Sequence, residues 1–432
     1  MSPTELPWDS EVGPLLEPRP PLGLPLPAYD GRSLPNVTGS IVRALGVDLA
    51  GSPVIAPPLV EALDPFRGRR AEGPIVVFLV DGFGGSSFSA WARGDGAQGP
   101  RWARFAHPIT SVFPTTTTAA LVSLSTGTVP GLNGVVGYRQ FLPAFGLVAD
   151  LLRMTPVGIP HPESLVGPRW DPRSVSDAPP VFARGVTGVA LSRDRFQGTG
   201  FTQLLYEGAE YVPYATASDL AHLLGRLLER SKPPGVIFTY WDELDTVHHL
   251  RGPTDPLFGF EADRIAQLLQ FVGRHVRGDL ARSTTLLLTA DHGQVPVDPA
   301  RTIRVDRIPE IASEMGRPLG GDRRAGYFSA KPGRLEALRA ALVRHLPRGS
   351  QIVEGAEAIR AGLFGPPPLH PEVADRVGDL IVFVPPPFGV NMIAPGRKEP
   401  TVELLGGHGG LSPEELIVPL VAAPLGEFAG GE

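Results

Sequence analysis

The sequence predicts an α/β fold in which a mostly parallel central sheet is flanked by helices. Three continuous apolar segments have the length of a strand, and each leads into an acidic residue; they span 74–80, 235–240 and 284–290. Uninterrupted apolar runs of this length are typical of strands buried on both faces, as in parallel sheets. Two stretches, 217–230 and 260–276, have apolar residues at three- and four-residue spacing and predict amphipathic helices. Strands that alternate with helices favour an α/β fold.

Weaker patterns predict further elements and a division of the chain. Additional strands are expected at 186–191, 378–384 and 416–421, and a short helix at 40–45. Because 432 residues are more than one compact core usually holds, we expect a large domain with a smaller one inserted. Loops rich in arginine and proline, a strand at 326–329 and a helix at 335–345 mark the insertion. The predicted units are an N-terminal surface segment 1–35, a core 36–299 with 396–432, and a cap-like insertion 300–395.

The composition argues against several classes of function. The formal net charge is −6 and no long block of lysine and arginine occurs, so no nucleic-acid-binding surface is expected. No apolar run reaches the roughly 18 residues that a membrane-spanning helix needs. Residues 1–30 lack a basic region followed by an apolar core, so no signal peptide is recognised and a cytoplasmic location is expected. The chain has no cysteine, and any metal must be held mainly by His, Asp or Glu.

Acidic residues at or soon after the strand ends are the first candidates for a functional site. Asp81 and Asp291 follow directly on predicted strands, and Asp245 comes after a short connection. Ligands of open α/β sheets bind beyond the carboxyl ends of the strands, so the three carboxylates are expected at one edge of the sheet. A single aspartate in such a position is more often a helix cap or a turn residue.

Histidines beside these aspartates favour a metal site. His292 adjoins Asp291, and His249 follows Asp245 by four residues, a spacing that places both on one face of a helical turn. His408 lies between glycine pairs that would let the backbone approach a crowded site, although a flexible surface loop is the alternative. Carboxylates combined with imidazoles favour zinc or a neighbouring transition metal. Three polar neighbours are expected to pack, to face solvent or to orient the ligands: His248, Asp242 and Glu243.

A run of four threonines at 115–118 is the candidate source of a nucleophile, and a helix-like segment follows it as far as residue 127. A hydroxyl is a poor nucleophile unless a base or a metal activates it, and zinc can stabilise the alkoxide. The start of a helix also offers free backbone amides to an anionic group. The alternative interpretation is a threonine-rich helix cap, and threonines other than the nucleophile are expected to cap the helix or to face away.

Taken together, these separated motifs resemble the type I phosphodiesterase, or nucleotide pyrophosphatase/phosphodiesterase, family of the alkaline phosphatase superfamily. The matching segments occur in the expected order between residue 74 and about residue 422; they are 113–117, 123–127, 134–137, 240–249, 252–253 and 289–293. The resemblance implies an alkaline-phosphatase-like core and a hydrolase that acts on phosphoric ester or phosphoanhydride bonds. The expected partner is a small phosphorylated substrate.

The resemblance also implies two zinc ions that bridge the reacting phosphoryl group. The ligands of one ion would be Asp81, Thr117, Asp291 and His292. The ligands of the other would be Asp245, His249 and His408. Thr117 would be the nucleophile among the four threonines, since it stands nine residues before Thr126, as the family pattern requires.

One position departs from the family pattern. Family members usually carry an asparagine shortly after the segment that matches 134–136, whereas this chain has Tyr138 and Arg139 there. The Tyr138 hydroxyl is the expected substitute as a donor to the substrate, and the choice among diesters, monoesters and phosphonates stays open. A phosphomonoesterase and a phosphonoacetate-type hydrolase are the alternatives within the superfamily. A catalytically silent metal- or anion-binding protein is the alternative from another class, and the oligomeric state is not indicated.

Overall fold

The structure is a computed structural model, and it describes residues 6, 8–49, 54–94, 98–159, 161–167, 171–230, 235–393 and 402–430. In chain order the strands are β1 (Ile75–Val80), β2 (Ala106–Thr110), β3 (Arg139–Leu142), β4 (Leu147–Asp150), β5 (Thr155–Pro156), β6 (Gly188–Arg193), β7 (Glu210–Tyr214), β8 (Val236–Trp241), β9 (Thr285–Thr289), β10 (Val295–Pro296), β11 (Thr302–Arg304), β12 (Gly320–Gly321), β13 (Ala325–Phe328), β14 (Gln351–Glu354), β15 (Leu380–Phe383), β16 (Gly389–Asn391), β17 (Gly406–Gly407) and β18 (Ile417–Pro424).

The α-helices range from single turns to five turns. In chain order they are α1 (Asp9–Leu15), α2 (Leu34–Leu45), α3 (Gly85–Ala92), α4 (Gln98–Ala103), α5 (Thr117–Thr126), α6 (Pro130–Asn133), α7 (Gly200–Tyr206), α8 (Ala217–Arg230), α9 (Glu243–Arg251), α10 (Leu257–His275), α11 (Gly278–Ser283), α12 (Pro309–Ala312), α13 (Leu335–His345), α14 (Gly355–Arg360), α15 (Val373–Val377) and α16 (Pro413–Leu416). Within the described part of the chain, no helix combines the length and the apolar character that crossing a bilayer requires.

The central sheet confirms the predicted fold class. Its seven strands lie in the order β2-β18-β9-β1-β8-β6-β7. The three apolar segments of the sequence form its centre, because β1 pairs in parallel with both β8 and β9. Every residue of β1 and β8 is buried, as expected of strands covered on both faces. Only β18 runs against its neighbours, pairing antiparallel with β9 and β2, so the sheet is mostly parallel.

A second seven-stranded sheet has the order β14-β15-β13-β12-β3-β4-β5. Its strands come from two separate parts of the chain, 139–156 and 320–383, which meet where β12 pairs with β3 at Gly321 and Arg139. The predicted insertion 300–395 therefore shares a sheet with a segment that the sequence analysis places in the core. The predicted domain boundaries stay predictions, and residues 394–401, where the insertion would end, lie outside the described residues.

Phe113 connects the second sheet to the start of the threonine run. Its ring packs against Phe364 and against Phe383 of β15, with centroid distances of 5.2 and 5.5 Å. Phe113 is completely buried, and burying an aromatic ring contributes a large share of the local hydrophobic free energy. The residues that follow it are thus held between the two sheets.

Helix α2 is longer than the short helix predicted at 40–45. It begins at Leu34 because Ser33 and Asn36 form a capping box, in which the Ser33 amide donates to Asn36 Oδ1 at 2.9 Å. Gly39 and the capping residues are poor helix formers, which is why residues before 40 did not predict a helix. Burial of almost the whole element against α5 stabilises it nonetheless.

Candidate active site

The predicted metal ligands all lie at the carboxyl edge of the central sheet. Asp81 directly follows β1, and Asp291 follows β9 after a single alanine. Asp245 and His249 lie on α9, the helix that starts two residues after β8. His292 directly follows Asp291, and the other predicted residues come from other elements: Thr117 is the first residue of α5, His408 follows β17, and Tyr138 precedes β3 of the second sheet. The parallel arrangement of β1, β8 and β9 brings their ends together, as the sequence predicts.

Asp81, Asp291 and His292 form a first cluster that could hold a metal ion. The His292 Nε2 atom lies 3.7 Å from Asp81 Oδ1 and 3.4 Å from Asp291 Oδ2. The same Nε2 atom lies 3.2 Å from Oγ1 of Thr117. All three residues of the cluster are buried, and Thr117 is 7% exposed, so the hydroxyl can still be reached from the edge of the cluster.

The two carboxylates of this cluster each present one bare oxygen to its centre. Asp81 Oδ2 accepts a hydrogen bond from the Tyr240 hydroxyl, and Asp291 Oδ1 accepts from the backbone amides of Gly82 and His292 at 3.0 and 2.9 Å. Asp81 Oδ1 and Asp291 Oδ2 are buried and have no hydrogen-bond partner. Buried carboxylate oxygens without a partner are costly, and a cation between them would remove that cost.

Burial raises the pKa of Asp81 well above its usual value, and the charges of Asp245 and Asp291 raise that pKa further. Three carboxylates at one edge of a sheet repel one another unless protons or metal ions neutralise them. The residues present therefore fit divalent metal binding.

Asp245, His249 and His408 form a second cluster that could hold a metal ion. The Asp245 Oδ2 and His249 Nε2 atoms are 3.4 Å apart, and both side chains lie on one face of α9, as predicted. The His408 ring lies 5.2 Å from the His249 ring and stacks on His292 with a centroid distance of 3.9 Å. His408 therefore joins the two clusters into one site.

The three histidines have the same orientation toward the backbone. The Nδ1 atoms of His249, His292 and His408 lie 3.1, 3.2 and 3.1 Å from the carbonyl oxygens of Gly406, Gly293 and Thr115 respectively. A carbonyl oxygen only accepts, so each Nδ1 donates and each neutral ring has its lone pair on Nε2. The Nε2 atoms of His249 and His292 face carboxylates of their own clusters, which is the arrangement that metal-binding histidines use.

The other members of the threonine run were expected to cap the helix or to face away, and the structure shows no side-chain cap at the start of α5. Thr116 is the N-cap residue of α5 but makes no side-chain capping hydrogen bond. The Thr115 hydroxyl donates to Gly410 O at 2.8 Å and accepts from the Gly409 amide at 3.1 Å, so it holds the loop that carries His408. The Thr118 hydroxyl donates to Gly137 O at 3.1 Å. Capping is thus the wrong role for these hydroxyls, since tertiary partners from distant loops take them.

Two glycines allow close backbone approach at the site. Gly82 has a φ of 74°, and a Cβ atom there would lie 3.0 Å from Cα of Asp245. Gly409 has a φ of 113°, and a Cβ atom there would lie 2.5 Å from Cβ of Asp322. Only glycine combines a positive φ with such contacts at low cost, so these positions let β1 approach α9 and let the His408 loop approach Asp322.

Several residues next to the clusters were not assigned a role from sequence. Tyr240 donates to Asp81, and the side-chain amide of Gln294 donates to Asp245 Oδ1. Asp322 Oδ2 lies 3.5 Å from His408 Nδ1, although the two residues are far apart in sequence. Tyr240 lies within a motif that carried the family resemblance, and Gln294 directly follows another. Asp322 had no sequence signal, because its approach to the site depends on the second sheet.

The polar neighbours of the α9 ligands have clear structural partners. Asp242 and Glu243 are not simply solvated, because Arg193 forms ion pairs with both of them and Arg264 pairs with Glu243. His248 is buried and packs against Phe258, with a ring-centroid distance of 6.1 Å. These contacts fix the start and the inner face of α9 and so orient Asp245 and His249.

Tyr138 precedes β3, the strand whose Arg139 pairs with Asp150 of β4. Burial raises the pKa of Tyr138 well above its usual value, and the charge of Asp150 raises it further. The hydroxyl therefore stays protonated and can donate a hydrogen bond at any physiological pH. Its role toward a substrate stays a prediction.

Comparison with known proteins decides the family. The model of the type I phosphodiesterase / nucleotide pyrophosphatase family matches residues 75–410, which is most of the chain. The chain belongs to this family. It is therefore a hydrolase of phosphoester bonds, from a family whose members depend on metal ions. No curated protein sequence is similar enough to match the chain.

Solved structures show the same fold at low sequence identity. Murine ectonucleotide pyrophosphatase / phosphodiesterase 5 is 20% identical with a TM-score of 0.60, and the match covers 82% of this chain and 88% of that one. The human protein of the same name is 18% identical over the same shares, with a TM-score of 0.59. Phosphonoacetate hydrolase from Sinorhizobium meliloti is 17% identical with a TM-score of 0.58, over 84% of this chain and 96% of that one.

Proposed function

We propose that the protein is a phosphodiesterase or nucleotide pyrophosphatase-like hydrolase that uses Thr117 as its nucleophile and two zinc ions as cofactors. The observation that carries the proposal is the position of Thr117 Oγ1, 3.2 Å from His292 Nε2 at the start of a buried helix. Since Nδ1 of His292 donates to a carbonyl, the Nε2 lone pair can accept from the Thr117 hydroxyl or, when the cluster is loaded, bind the same ion as Thr117 Oγ1.

The donor atoms of both clusters support zinc. One ion would be held by Asp81, Asp291 and His292 with Thr117, and the other by Asp245, His249 and His408. Mixed imidazole and carboxylate ligands are typical of zinc sites, and the chain has no thiolate to offer. When bound, two such ions would lower the pKa of the hydroxyl and stabilise negative charge on the phosphoryl oxygens.

The residues of the chain then divide the reaction into two displacements. Thr117 Oγ1 loses its proton to solvent and attacks phosphorus, a P–O bond forms, and the bond to the leaving oxygen breaks with its electron pair on that oxygen, which takes up a proton from solvent. Water then attacks the phosphothreonine, the bond between phosphorus and Thr117 Oγ1 breaks, and the threonine hydroxyl is restored with one proton from water. The start of α5 orients its dipole toward the phosphoryl group and favours its negative charge throughout.

A structural neighbour supports the threonine. The murine ectonucleotide pyrophosphatase / phosphodiesterase 5 was also solved as an inactive threonine-to-alanine form in complex with AMP, with a TM-score of 0.60. Loss of activity on removal of one threonine in a protein of the same fold is what a threonine nucleophile predicts. Thr117 is the threonine of this chain that lies against the first cluster.

A phosphonoacetate-type hydrolase is the second candidate. The likeness to phosphonoacetate hydrolase covers 96% of that chain, and Tyr138 stands where the phosphodiesterase pattern has an asparagine. A phosphomonoesterase is the third candidate that the same clusters would suit. A catalytically silent metal- or anion-binding protein is the candidate from another class. The cytoplasmic location predicted from the sequence stays a prediction.

Substrate comparison separates these candidates. Zinc-loaded protein is given bis(p-nitrophenyl) phosphate, p-nitrophenyl phosphate and phosphonoacetate at matched concentrations, and the metal content is measured by elemental analysis. We expect faster turnover of the diester than of the monoester, with close to two zinc ions per chain. Faster turnover of the monoester or of phosphonoacetate would overturn the diester assignment, and no turnover of any of the three would favour the silent protein.

A further inference from the structure

The hairpin between β12 and β13 brings a cation to the edge of the site. Asp322, at its tip, has Oδ2 3.5 Å from His408 Nδ1, and Arg323 is the next residue. The Arg323 backbone is fixed on both sides, because its amide donates to Asp322 Oδ1 at 2.6 Å and its carbonyl accepts from Val390 at 2.7 Å.

The guanidinium of Arg323 lacks partners that its burial would require. Its Nε and Nη1 atoms are both buried without a hydrogen-bond partner. Burial lowers the pKa of Arg323, and the charge of Arg139 opposes the compensating charge of Asp322. An arginine stays protonated nonetheless, so two buried nitrogens of a full cation are left without an acceptor. Groups of this kind in native proteins call for a functional explanation, since each costs about 1–3 kcal/mol.

Arg139 places a second guanidinium beside the first. It lies on β3, whose Arg139 backbone pairs with Gly321 of the same hairpin. Its Nη1 atom donates to neutral acceptors only weakly, at 3.3 Å from Asn391 Oδ1 and 3.4 Å from the Met392 carbonyl. Asp150, the cross-strand neighbour of Arg139, compensates part of the Arg139 charge, but its carboxylate already bonds the Arg153 amide, and burial raises its pKa more than the charge of Arg139 lowers it. The two arginines therefore retain capacity for another anion.

We propose that Arg323, with Arg139 beside it, binds a second anionic group of the substrate, a carboxylate or a further phosphate, while the phosphoryl group occupies the two clusters. The proposal rests on the proposed function for the position of the phosphoryl group. A guanidinium matches both anions because its N–H groups form a planar fork that binds two oxygens at once. The preferred substrates are thus phosphodiesters or phosphoanhydrides that carry a second anionic group, rather than diesters of uncharged alcohols.

Calorimetric binding to the zinc-loaded protein tests the subsite without requiring turnover. The probes are propylphosphonate, 3-phosphonopropionate and methylenediphosphonate, which share one phosphonate and differ in the second group. We expect at least one dianionic probe to bind about tenfold or more tighter than propylphosphonate, as charge-assisted hydrogen bonds of about 1.5–3 kcal/mol would give. The carboxylate and phosphonate arms show which anion is preferred.

Three variants test whether Arg323 and Arg139 cause the preference for dianionic probes. Arg323→Gln should abolish it while propylphosphonate binds as before, Arg323→Lys should retain part of it, and Arg139→Gln should weaken it. Arg344→Gln, which removes the same charge from the exposed face of α13, should leave it intact. Equal binding of the three probes to the wild type would overturn the proposal, and this comparison does not depend on any variant folding. An unchanged preference in Arg323→Gln would overturn it as well.

The subsite and the proposed function can fail separately. The protein could prefer dianionic probes, lose that preference in Arg323→Gln, and turn over no phosphoester. This result would support the subsite and contradict the proposed hydrolase activity. Diester turnover without any preference for dianionic probes would support the activity and contradict the subsite.

Discussion

At the scale of single residues, Asp81 and Asp291 share one arrangement: a hydrogen bond holds one carboxylate oxygen, and the other is buried and bare. Such a pair orients its free oxygens rigidly but leaves their charge uncompensated. Native proteins tolerate this cost where a ligand compensates it. The roles of Thr117 and Tyr240 follow from their contacts with this first cluster. The role of His248 follows from its position on α9, the helix that carries the ligands of the second cluster.

Replacing Thr117 by alanine should remove most of the activity, by a factor of about a thousand or more, because the covalent route is lost. Zinc content and thermal unfolding should change little, since one ligand of one ion is removed and water can take its place. Steady-state turnover of the best substrate, together with elemental analysis, measures both. Thr118→Ala is the matched control and should retain most activity, because its hydroxyl bonds Gly137. A dead Thr118→Ala beside an active Thr117→Ala would assign the nucleophile elsewhere.

Thr115→Ala should behave differently from Thr117→Ala and Thr118→Ala. The Thr115 oxygen was expected to cap the helix or to face away, and the structure gives it another role. The Thr115 hydroxyl holds the loop of His408, so its loss should weaken metal binding in the second cluster before it affects the chemical step. The distinction between metal loss and loss of turnover at full metal loading is what separates a positioning threonine from a nucleophile.

Removing the Tyr240 hydroxyl should weaken metal binding at the first cluster. Tyr240 donates to Asp81 Oδ2 and so fixes the direction of Oδ1. Partners of this type typically contribute a factor of about 10–100 to metal affinity, and Tyr240→Phe should lower zinc affinity within that range. Competition with a chromophoric chelator measures the affinity of each site. Unchanged affinity at both sites would show that the hydrogen bond does not orient the carboxylate.

His248 makes the metal-free protein less stable in acid. Burial lowers its pKa to about 4, whereas the unfolded chain has the ordinary value of about 6.5. Between these values the unfolded state binds more protons than the folded state. The free energy of unfolding is therefore not reduced by His248 above about pH 6.5, and it falls as the pH drops toward 4. The loss amounts to about 3 kcal/mol. In urea titrations, His248→Phe should reduce the slope of unfolding free energy against pH near pH 5, and an unchanged slope would contradict the assignment.

The sequence predicts the candidate ligands because their spacing is local. Asp291 and His292 are adjacent, Asp245 and His249 are one helical turn apart, and a strand end or a helix turn suffices to bring each pair together. Asp322 could not be found in this way. Its distance of 3.5 Å from His408 depends on the antiparallel pairing of β12 and β13 and on the absence of a side chain at Gly409.

At the scale of elements, α2 supports the helix that carries Thr117. The two helices pack directly, and the Thr38 hydroxyl donates to Leu124 O of α5. On the other side of α2, a Cβ atom on Gly39 would lie 2.6 Å from Ala56 O and 2.8 Å from Pro57 O. This glycine therefore marks a close contact between a helix and an extended segment.

Two glycine-to-alanine substitutions within helices should have opposite effects. Gly39→Ala should lower the free energy of unfolding by about 1–3 kcal/mol, because backbone atoms of the 56–57 segment must move. Gly259→Ala in α10 should raise it by up to about 1 kcal/mol, since a Cβ atom there meets nothing within 4 Å and alanine favours the helix. Urea denaturation measures both. A stabilising Gly39→Ala would mean that α2 and the 56–57 segment are less tightly packed than the structure shows.

The elements that the sequence predicted well are those with strong periodicity. The three apolar segments form β1, β8 and β9, and the amphipathic stretch 217–230 forms α8 with the same bounds. The predicted strands 326–329 and 378–384 correspond to β13 and β15, but the second sheet that contains them was not predicted. All seven of its strands have four residues or fewer and its two halves lie far apart in the chain, so their pairing depends on long-range contacts.

At the scale of the whole molecule, the second sheet closes over one side of the carboxyl edge of the central sheet. Asp322 approaches His408, and Arg324 forms a buried ion pair with Glu415 at 3.4 Å, just before the antiparallel strand β18. The same hairpin thus contacts both the candidate metal ligands and the core. The proposed subsite requires this arrangement: the edge of the central sheet would hold the reacting groups, and the hairpin of the second sheet would contact the rest of the substrate.

The central claim is that Thr117 forms a covalent phosphothreonine, so that the reaction consists of two in-line displacements. The stereochemical course at phosphorus tests it most directly and does not require the intermediate to accumulate. A diester made chiral at phosphorus with sulfur and oxygen isotopes is turned over by zinc-loaded protein in isotopically labelled water. Each displacement inverts the configuration, so a covalent phosphothreonine predicts net retention. Net inversion would mean that water attacks the substrate directly, and it would contradict the assignment of Thr117 as nucleophile.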